Sequence, residues 1–291
     1  MSAEVEGTIE AGDGRQVTYL ARGPADGRAV LYLHGMPSSR LEQRLFPDDA
    51  LAQAGIRLIS FDRPGWGRTD AVPGDRIARS RDALAVADHF GLAQFSLMAV
   101  SAGGTYGLTL AASAPERVTR VLLVSAQLPY DDDAAIATMQ PDQLALVPVA
   151  RLGRTAELVA GCEAYRRAML DDVVGRFWPS LATLSEAERA FVAQPWLSGA
   201  LIAEIAEGLR ISAEGLVDDL LSWPTPLEVD PRSIACPVVA MHGTADDWEP
   251  LPNLRRILER MPQAEVRLCR GMNHFGPLLE AAATLALAVA D

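Results

Sequence analysis

Near-continuous apolar runs, most of them stopped by Gly, Pro or Asp, constrain this chain more than any other feature. They are Ala29–Leu33, Ile56–Phe61, Phe95–Val100, Val118–Val124, Pro237–Met241 and Val266–Cys269. Helical stretches lie between them at 41–54, 77–90, 105–114, 253–260 and 275–290. A strand that is apolar at every position has both faces buried, and alternation with helices supplies the cover. The reading is therefore an α/β fold: a mostly parallel central sheet with helices on both faces. Residues 5–10 and 16–22 read as an added strand pair joined by the Gly12-Asp13-Gly14 turn.

The alternation fails between 131 and 230. That segment has no strand run, but it has helical stretches near 155–170, 185–193, 197–209 and 213–221. The expected organisation is a core of residues 1–130 and 231–291 interrupted by an all-helical insert, 131–230. Leaving the carboxyl edge of the sheet, such an insert would lie over the place where open α/β sheets bind ligands. Its tryptophans, Trp178, Trp196 and Trp223, are expected mostly to pack the insert's own core.

Composition narrows the function. The 26 basic residues, all Arg, stand against 38 acidic ones, a net charge of −12. That balance argues against nucleic acid or an anionic membrane as partner and leaves a small-molecule substrate. Without lysine, no lysine nucleophile or Schiff base is available. Cys162, Cys236 and Cys269 have neither metal-ligand nor redox spacing, so no metal or cofactor is expected. The acidic N-terminus lacks an apolar signal core, and no apolar run reaches membrane-spanning length; the expected location is the cytoplasm. The oligomeric state does not follow from the sequence.

The chemistry concentrates at one turn. In Phe95-Ser-Leu-Met-Ala-Val-Ser101-Ala-Gly-Gly-Thr105 a strand must reverse into a helix within about three residues. The corner residue, Ser101, is forced into a strained conformation and projects outward, with Ala99, Ala102, Gly103 and Gly104 small enough to permit it. A serine nucleophile needs a base. Of the four histidines, His89 sits mid-helix, His34 and His242 end strands before glycines, and His274 lies in the loop Gly271-Met-Asn-His-Phe-Gly276 after the last strand. A loop beyond a strand end suits a correctly aimed imidazole. A carboxylate to orient it could come from Asp246, Asp247 or the run Asp131–Asp133.

Together these motifs resemble the alpha/beta-hydrolase superfamily over nearly the whole chain: His34-Gly-Met-Pro37, Asp62-Arg-Pro-Gly-Trp-Gly-Arg-Thr-Asp70, Ala99-Val-Ser-Ala-Gly-Gly104, His242-Gly-Thr-Ala-Asp246 and Gly271-Met-Asn-His274. The resemblance implies Ser101, Asp246 and His274 as nucleophile, acid and base, in that chain order. It implies the backbone amides of Met36 and Ala102 as the oxyanion hole and the insert as a helical lid between strands six and seven. Ser101 stands where some relatives carry Asp, which disfavours haloalkane dehalogenation and epoxide opening through an aspartyl ester. The expected activity is hydrolysis of an ester, lactone or thioester of a small apolar molecule through an acyl-enzyme. Alternatives are carbon–carbon cleavage, perhydrolysis or lyase or cyclase chemistry with the same triad, and a ligand receptor with little turnover. His34, Tyr106, Tyr130 and Trp248 are candidate pocket residues; for His34, bracing the oxyanion loop is the favoured role, and Arg63 is expected to make local hydrogen bonds.

Overall fold

The computed structural model describes residues 4–261 and 263–290. The N-terminal reading rests partly on residues 1–3, which lie outside them. The strands are β1 (Val5–Glu10), β2 (Gln16–Arg22), β3 (Arg28–Leu33), β4 (Ile56–Phe61), β5 (Phe95–Val100), β6 (Val118–Val124), β7 (Val238–Gly243) and β8 (Ala264–Cys269). They form one eight-stranded sheet in the order β1-β2-β4-β3-β5-β6-β7-β8. β1 and β2 pair antiparallel, β2 meets β4 antiparallel, and every later pairing is parallel. The carboxyl ends of β3 to β8 therefore share one edge.

Side-chain alternation shows why the central runs are apolar throughout. Leu31, Leu33, Leu97, Ala99, Leu123 and Ala240 join the core under α2 (Arg76–His89), α3 (Gly103–Ser113) and α11 (Leu251–Leu258). Their neighbours Val30, Tyr32, Met98, Leu122, Val124 and Val239 face the other way, toward α1 (Asp48–Ala54) and α13 (Ala281–Leu287). Two of the expected helices are divided. The stretch 41–54 splits at Pro47 into a 3-10 helix, Arg40–Leu45, and α1, and the stretch 275–290 splits into α12 (Gly276–Leu279) and α13.

Between β6 and β7 the chain is helical throughout its regular elements: α4 (Asp133–Ile136), α5 (Pro141–Arg151), α6 (Ala156–Asp171), α7 (Val173–Phe177), a 3-10 helix Trp178–Thr183, α8 (Glu186–Val192), α9 (Pro195–Gly208) and α10 (Glu214–Ser222). α5 escapes a sequence reading because Pro148 lies inside it, where proline removes a backbone donor. The insert has its own core, in which Trp223 packs with Val147, Leu158, Ile205 and Val217. It also lends Leu181, Leu184, Leu197 and Leu201 to the α1 side of the sheet. Two of the three tryptophans depart from the expected packing: Trp178 packs against the core on the α1 side of the sheet, and Trp196 is 43% exposed, with its indole N–H donated to Gln194. Among the described residues no helix is long and apolar enough to cross a membrane.

Candidate active site

Ser101 follows β5 with φ at +47°, a left-handed value that non-glycine residues rarely adopt. The surroundings over-determine that strain. The Ser101 N–H donates to the Val124 carbonyl (3.0 Å), and its own carbonyl accepts from Gly104 (2.9 Å) and Gln127 (2.8 Å). Two glycines are obligatory on steric grounds. A Cβ on Gly103 would lie 2.4 Å from the Leu33 carbonyl oxygen, and one on Gly35 would lie 2.9 Å from the Ser101 Cβ. The small residues thus let β3, the turn and α3 close on one another.

His274 Nδ1 stands 3.0 Å from Asp246 Oδ2. The other Asp246 oxygen accepts from the Trp248 (3.1 Å) and Glu249 (3.0 Å) amides, which fixes the carboxylate. Burial opposes ionisation of Asp246, but His274, His242 and these donors outweigh it and hold the group below the ordinary carboxylate value. Burial likewise opposes a charge on His274, yet Asp246, Glu249 and Glu42 raise it above the ordinary histidine value. With Nδ1 engaged by Asp246, Nε2 is the ring nitrogen left for proton transfer. Asp247 points elsewhere, accepting from Asn273 Nδ2 at 2.7 Å, and Asp131 and Asp132 pair with Arg256. A second strained residue, Ser125 (φ +43°), donates its hydroxyl to the His274 carbonyl at 2.7 Å and so seats that loop.

The backbone amides of Met36 and Ala102 make no hydrogen bond to any described residue. Met36 follows β3, and Ala102 caps α3, where the first helical amides lack partners inside the helix. Two cavities meet at Ser101 and share Met36, Pro37, Phe177 and Trp248 in their walls. The outer one, about 690 Å³, runs under α5, α6 and α7 past Gln143, Tyr165 and Met169. The inner one, about 50 Å³, reaches His274, Glu42 and Glu204.

Of the four candidate pocket residues, Trp248 lines both cavities and stacks against His274, ring centroids 4.9 Å apart. The other three line neither and need correcting. His34 is fully buried; its Nε2 accepts from the Arg63 amide (2.9 Å) and its Nδ1 meets the Gly35 carbonyl (2.8 Å), so it braces the loop that carries Met36. Burial holds its pKa well below the ordinary value, leaving it neutral. Tyr106 packs in the α3 core and donates to Asp219 (2.9 Å). Tyr130 lies one layer back and donates to Glu249 (2.8 Å). Arg63 does make the expected local bonds, to the His34 and Gly35 carbonyls (2.9 and 3.0 Å), but it also forks onto Asp219 of α10 at 2.8 and 2.7 Å.

Sequence reasoning overlooked a set of buried carboxyl groups. Burial pushes Glu249, held by Gln127 and Tyr130, up to about 8. Burial pushes Glu42, held by Tyr32 and the Gly35 amide, up to about 7. Neither stands out in the sequence: Glu42 lies between Leu41 and Gln43 in a charged stretch, and Glu249 between Trp248 and Pro250, as solvent-facing carboxylates would. Among the described residues no cluster of His, Cys, Asp and Glu is placed to hold a metal ion.

The chain belongs to the alpha/beta hydrolase fold family, whose sequence profile matches residues 28–280. A non-heme chloroperoxidase of Streptomyces lividans is 27% identical over 92% of this chain and 92% of its own. A haloalkane dehalogenase of Psychrobacter cryohalolentis is 37% identical over 123 residues, and the chain spans only about 40% of that relative's length. Among solved structures, an alpha/beta hydrolase fold protein from Chitinophaga pinensis superposes with a TM-score of 0.69 at 19% identity, covering 98% of each chain.

Proposed function

We propose that the chain is a serine hydrolase acting on an ester, lactone or thioester of a small molecule through an acyl-enzyme. One observation carries the reading. A serine held at positive φ on a strand-to-helix turn shares a cavity with a histidine whose far nitrogen is hydrogen-bonded to a buried, ionised aspartate. Ser101 Oγ attacks the carbonyl carbon while His274 Nε2 takes its proton. Asp246 holds the ring's orientation and stabilises the imidazolium. The carbonyl oxygen, now negative, is received by the Met36 and Ala102 amides, which have no other acceptor to give up. His274 returns the proton to the leaving group, and water, activated by the same imidazole, releases the acid. The helical insert serves as a lid: α5–α7 roof the outer cavity, and Leu201 and Glu204 of α9 wall the inner one.

The substitution of Ser101 for an aspartyl nucleophile separates this reading from the activity named for the dehalogenase relative. The likeness to a protein named as a chloroperoxidase favours a second reading, in which hydrogen peroxide in place of water intercepts the same acyl-enzyme. Labelling by a fluorophosphonate, mapped to Ser101, tests the nucleophile common to both. Turnover of p-nitrophenyl acetate with and without peroxide separates them. An unlabelled Ser101 in the folded protein would overturn the proposal.

A further inference from the structure

Glu42 and Glu204 are 6% and 4% exposed, and both line the inner cavity together with Ser101 and His274. Glu42 Oε2 is committed, accepting from the Tyr32 hydroxyl (2.9 Å) and the Gly35 amide (2.9 Å). Glu42 Oε1 and both carboxyl oxygens of Glu204 accept nothing from any described residue, and Glu204 Oε2 is fully buried. Only the Glu204 backbone carbonyl is used, by Ser39 Oγ at 3.0 Å. A buried acceptor without a partner bears its full desolvation cost, and more of it when charged. Glu204 Oε2 is one such oxygen, and with the unpartnered Glu42 Oε1 and Glu204 Oε1 on the same two cavity-lining side chains it marks a place built for something else.

The chemistry of the occupant follows from the count. Two of these oxygens, Glu42 Oε1 and one of Glu204, are open acceptors, while of the two hydroxyls in the wall Tyr32 is committed to Glu42 and Ser101 is the proposed nucleophile. An ammonium has three donors and no acceptor. The volume, about 50 Å³, admits a group of a few heavy atoms, since one water takes roughly 10–15 Å³ of such space. The walls around the carboxyls are Leu45, Val100, Leu201 and Leu278, suited to a short methylene stem. Charge points the same way. Anionic carboxylates beside a substrate carbonyl held at Ser101 would oppose the developing oxyanion, so they must hold a proton or meet a cation.

Resting on the serine-hydrolase reading, we infer that Glu42 and Glu204 form an acyl-side subsite for a primary ammonium, so that esters of short ω-amino acids are preferred over their neutral isosteres. Without such a ligand the pair retains a proton, as burial raises both groups and Glu42 further raises Glu204. An anionic acyl group is rejected.

The test compares the ethyl ester of β-alanine with ethyl butyrate, which replaces the ammonium by a methyl group. In the wild type kcat/KM should be at least tenfold higher for the β-alanine ester. Glu204→Gln should lower that ratio at least tenfold, and Glu204→Leu should reverse it. A wild-type preference for ethyl butyrate, or a ratio unmoved by both variants, would overturn the subsite. Binding is read separately by thermal shift with propylammonium chloride, against sodium butyrate at the same ionic strength. If neither ester turns over and fluorophosphonate does not label Ser101, the hydrolase reading fails. The subsite then stands on a propylammonium shift that Glu204→Gln abolishes, and falls if the wild type shows none.

Discussion

The two halves of the helical insert are fastened to the core by different physics. The return half, α9 and α10, is bolted by buried charge. Arg63, beneath the loop that carries Met36, forks onto Asp219; Arg40, paired with Asp62, also reaches Glu207 at 2.8 Å; Arg79 meets Asp218 at 2.8 Å. Backbone bonds from Gly67 to Gly208 and from Gly215 to Gly65 add to these. The leading half, α5 to α7, is tied near the site by single hydrogen bonds such as Gln143 to the Trp248 carbonyl (2.9 Å). It also leaves Leu152, Tyr165 and Val174 exposed to solvent. The bolted half lends Leu201 and Glu204 to the inner chamber, to which the leading half adds only Phe177, and the leading half roofs most of the outer cavity. On the proposed function, preorganisation is thus concentrated where the reacting group would be placed, and adaptability where the rest of a substrate would lie.

Ser101 sits where both cavities meet, so its loss ought to be insensitive to that division. Ser101→Ala should lower kcat by at least about a thousandfold on every ester, leaving only the oxyanion amides and binding. Relief of the +47° φ is small for alanine, so the melting temperature should hold within a few degrees. Residual activity above a tenth of wild type would remove Ser101 from the chemistry. Next in size is the contrast between the tethers themselves. Asp219→Ala strands Arg63 as a buried, unpaired cation and should be destabilising by about 3–5 kcal/mol. Gln143→Ala removes two partly buried hydrogen bonds, one to the Trp248 carbonyl and one from the Gln140 amide, and should be destabilising by about 1–2 kcal/mol. Equal losses in urea denaturation would erase the distinction between the halves.

That distinction was hidden in the sequence, whereas the elbow was not. Ser101, His274 and the strand ends are legible because local sterics write them: small residues around a sharp turn, and apolar runs stopped by glycine. Asp246 lies close in sequence to the strand that aims it. Glu42 and Glu204 belong to separate helices, and each looks like a solvent-facing position until α9 is laid against the 3-10 helix at 40–45. Tyr106 could be pocket or core by its position in α3; its partner Asp219, far along the chain, decides for core. Long-range polar pairing has no local periodicity to betray it. For the same reason Arg63 was readable as a turn residue but not as the bolt of α10.

Acid–base behaviour tests the inner region as a whole. His274 must be neutral to act as base, and its pKa is raised above the ordinary 6.5. On a neutral ester kcat/KM should therefore fall about tenfold per pH unit below a midpoint that lies above 6.5. A midpoint below 6.5 would mean that burial, not Asp246, dominates the imidazole. Stability should move in the opposite sense. His274, Glu42 (about 7) and Glu249 (about 8) all have raised folded-state values. Groups of that kind add stability below their unfolded values and lose it as pH rises through the folded ones. Asp246, lowered, adds stability above its unfolded value and loses it only as pH falls through the folded one. Melting should thus occur at a higher temperature at pH 6 than at pH 8.5, while activity rises between them. A fold more stable at pH 8.5 would contradict neutral, buried Glu42 and Glu249.

The smallest effect expected comes from the roof. Tyr165 of α6 lines the outer cavity, is 42% exposed, and its hydroxyl bonds to no described residue. Truncating it leaves room without stranding a polar group, so Tyr165→Ala should be destabilising by about 1 kcal/mol or less. If the outer cavity holds the leaving-group side, the change should appear in KM for esters of bulky alcohols, by about threefold to tenfold, because only a part of one aromatic contact is removed. The ratio of β-alanine ester to butyrate ester should stay as in the wild type, since that choice is made across Ser101 on the bolted side. A shift in the acyl ratio of the same size as the shift in KM would mean that the two cavities act as one pocket. In that case the leading half of the insert would govern both ends of the substrate.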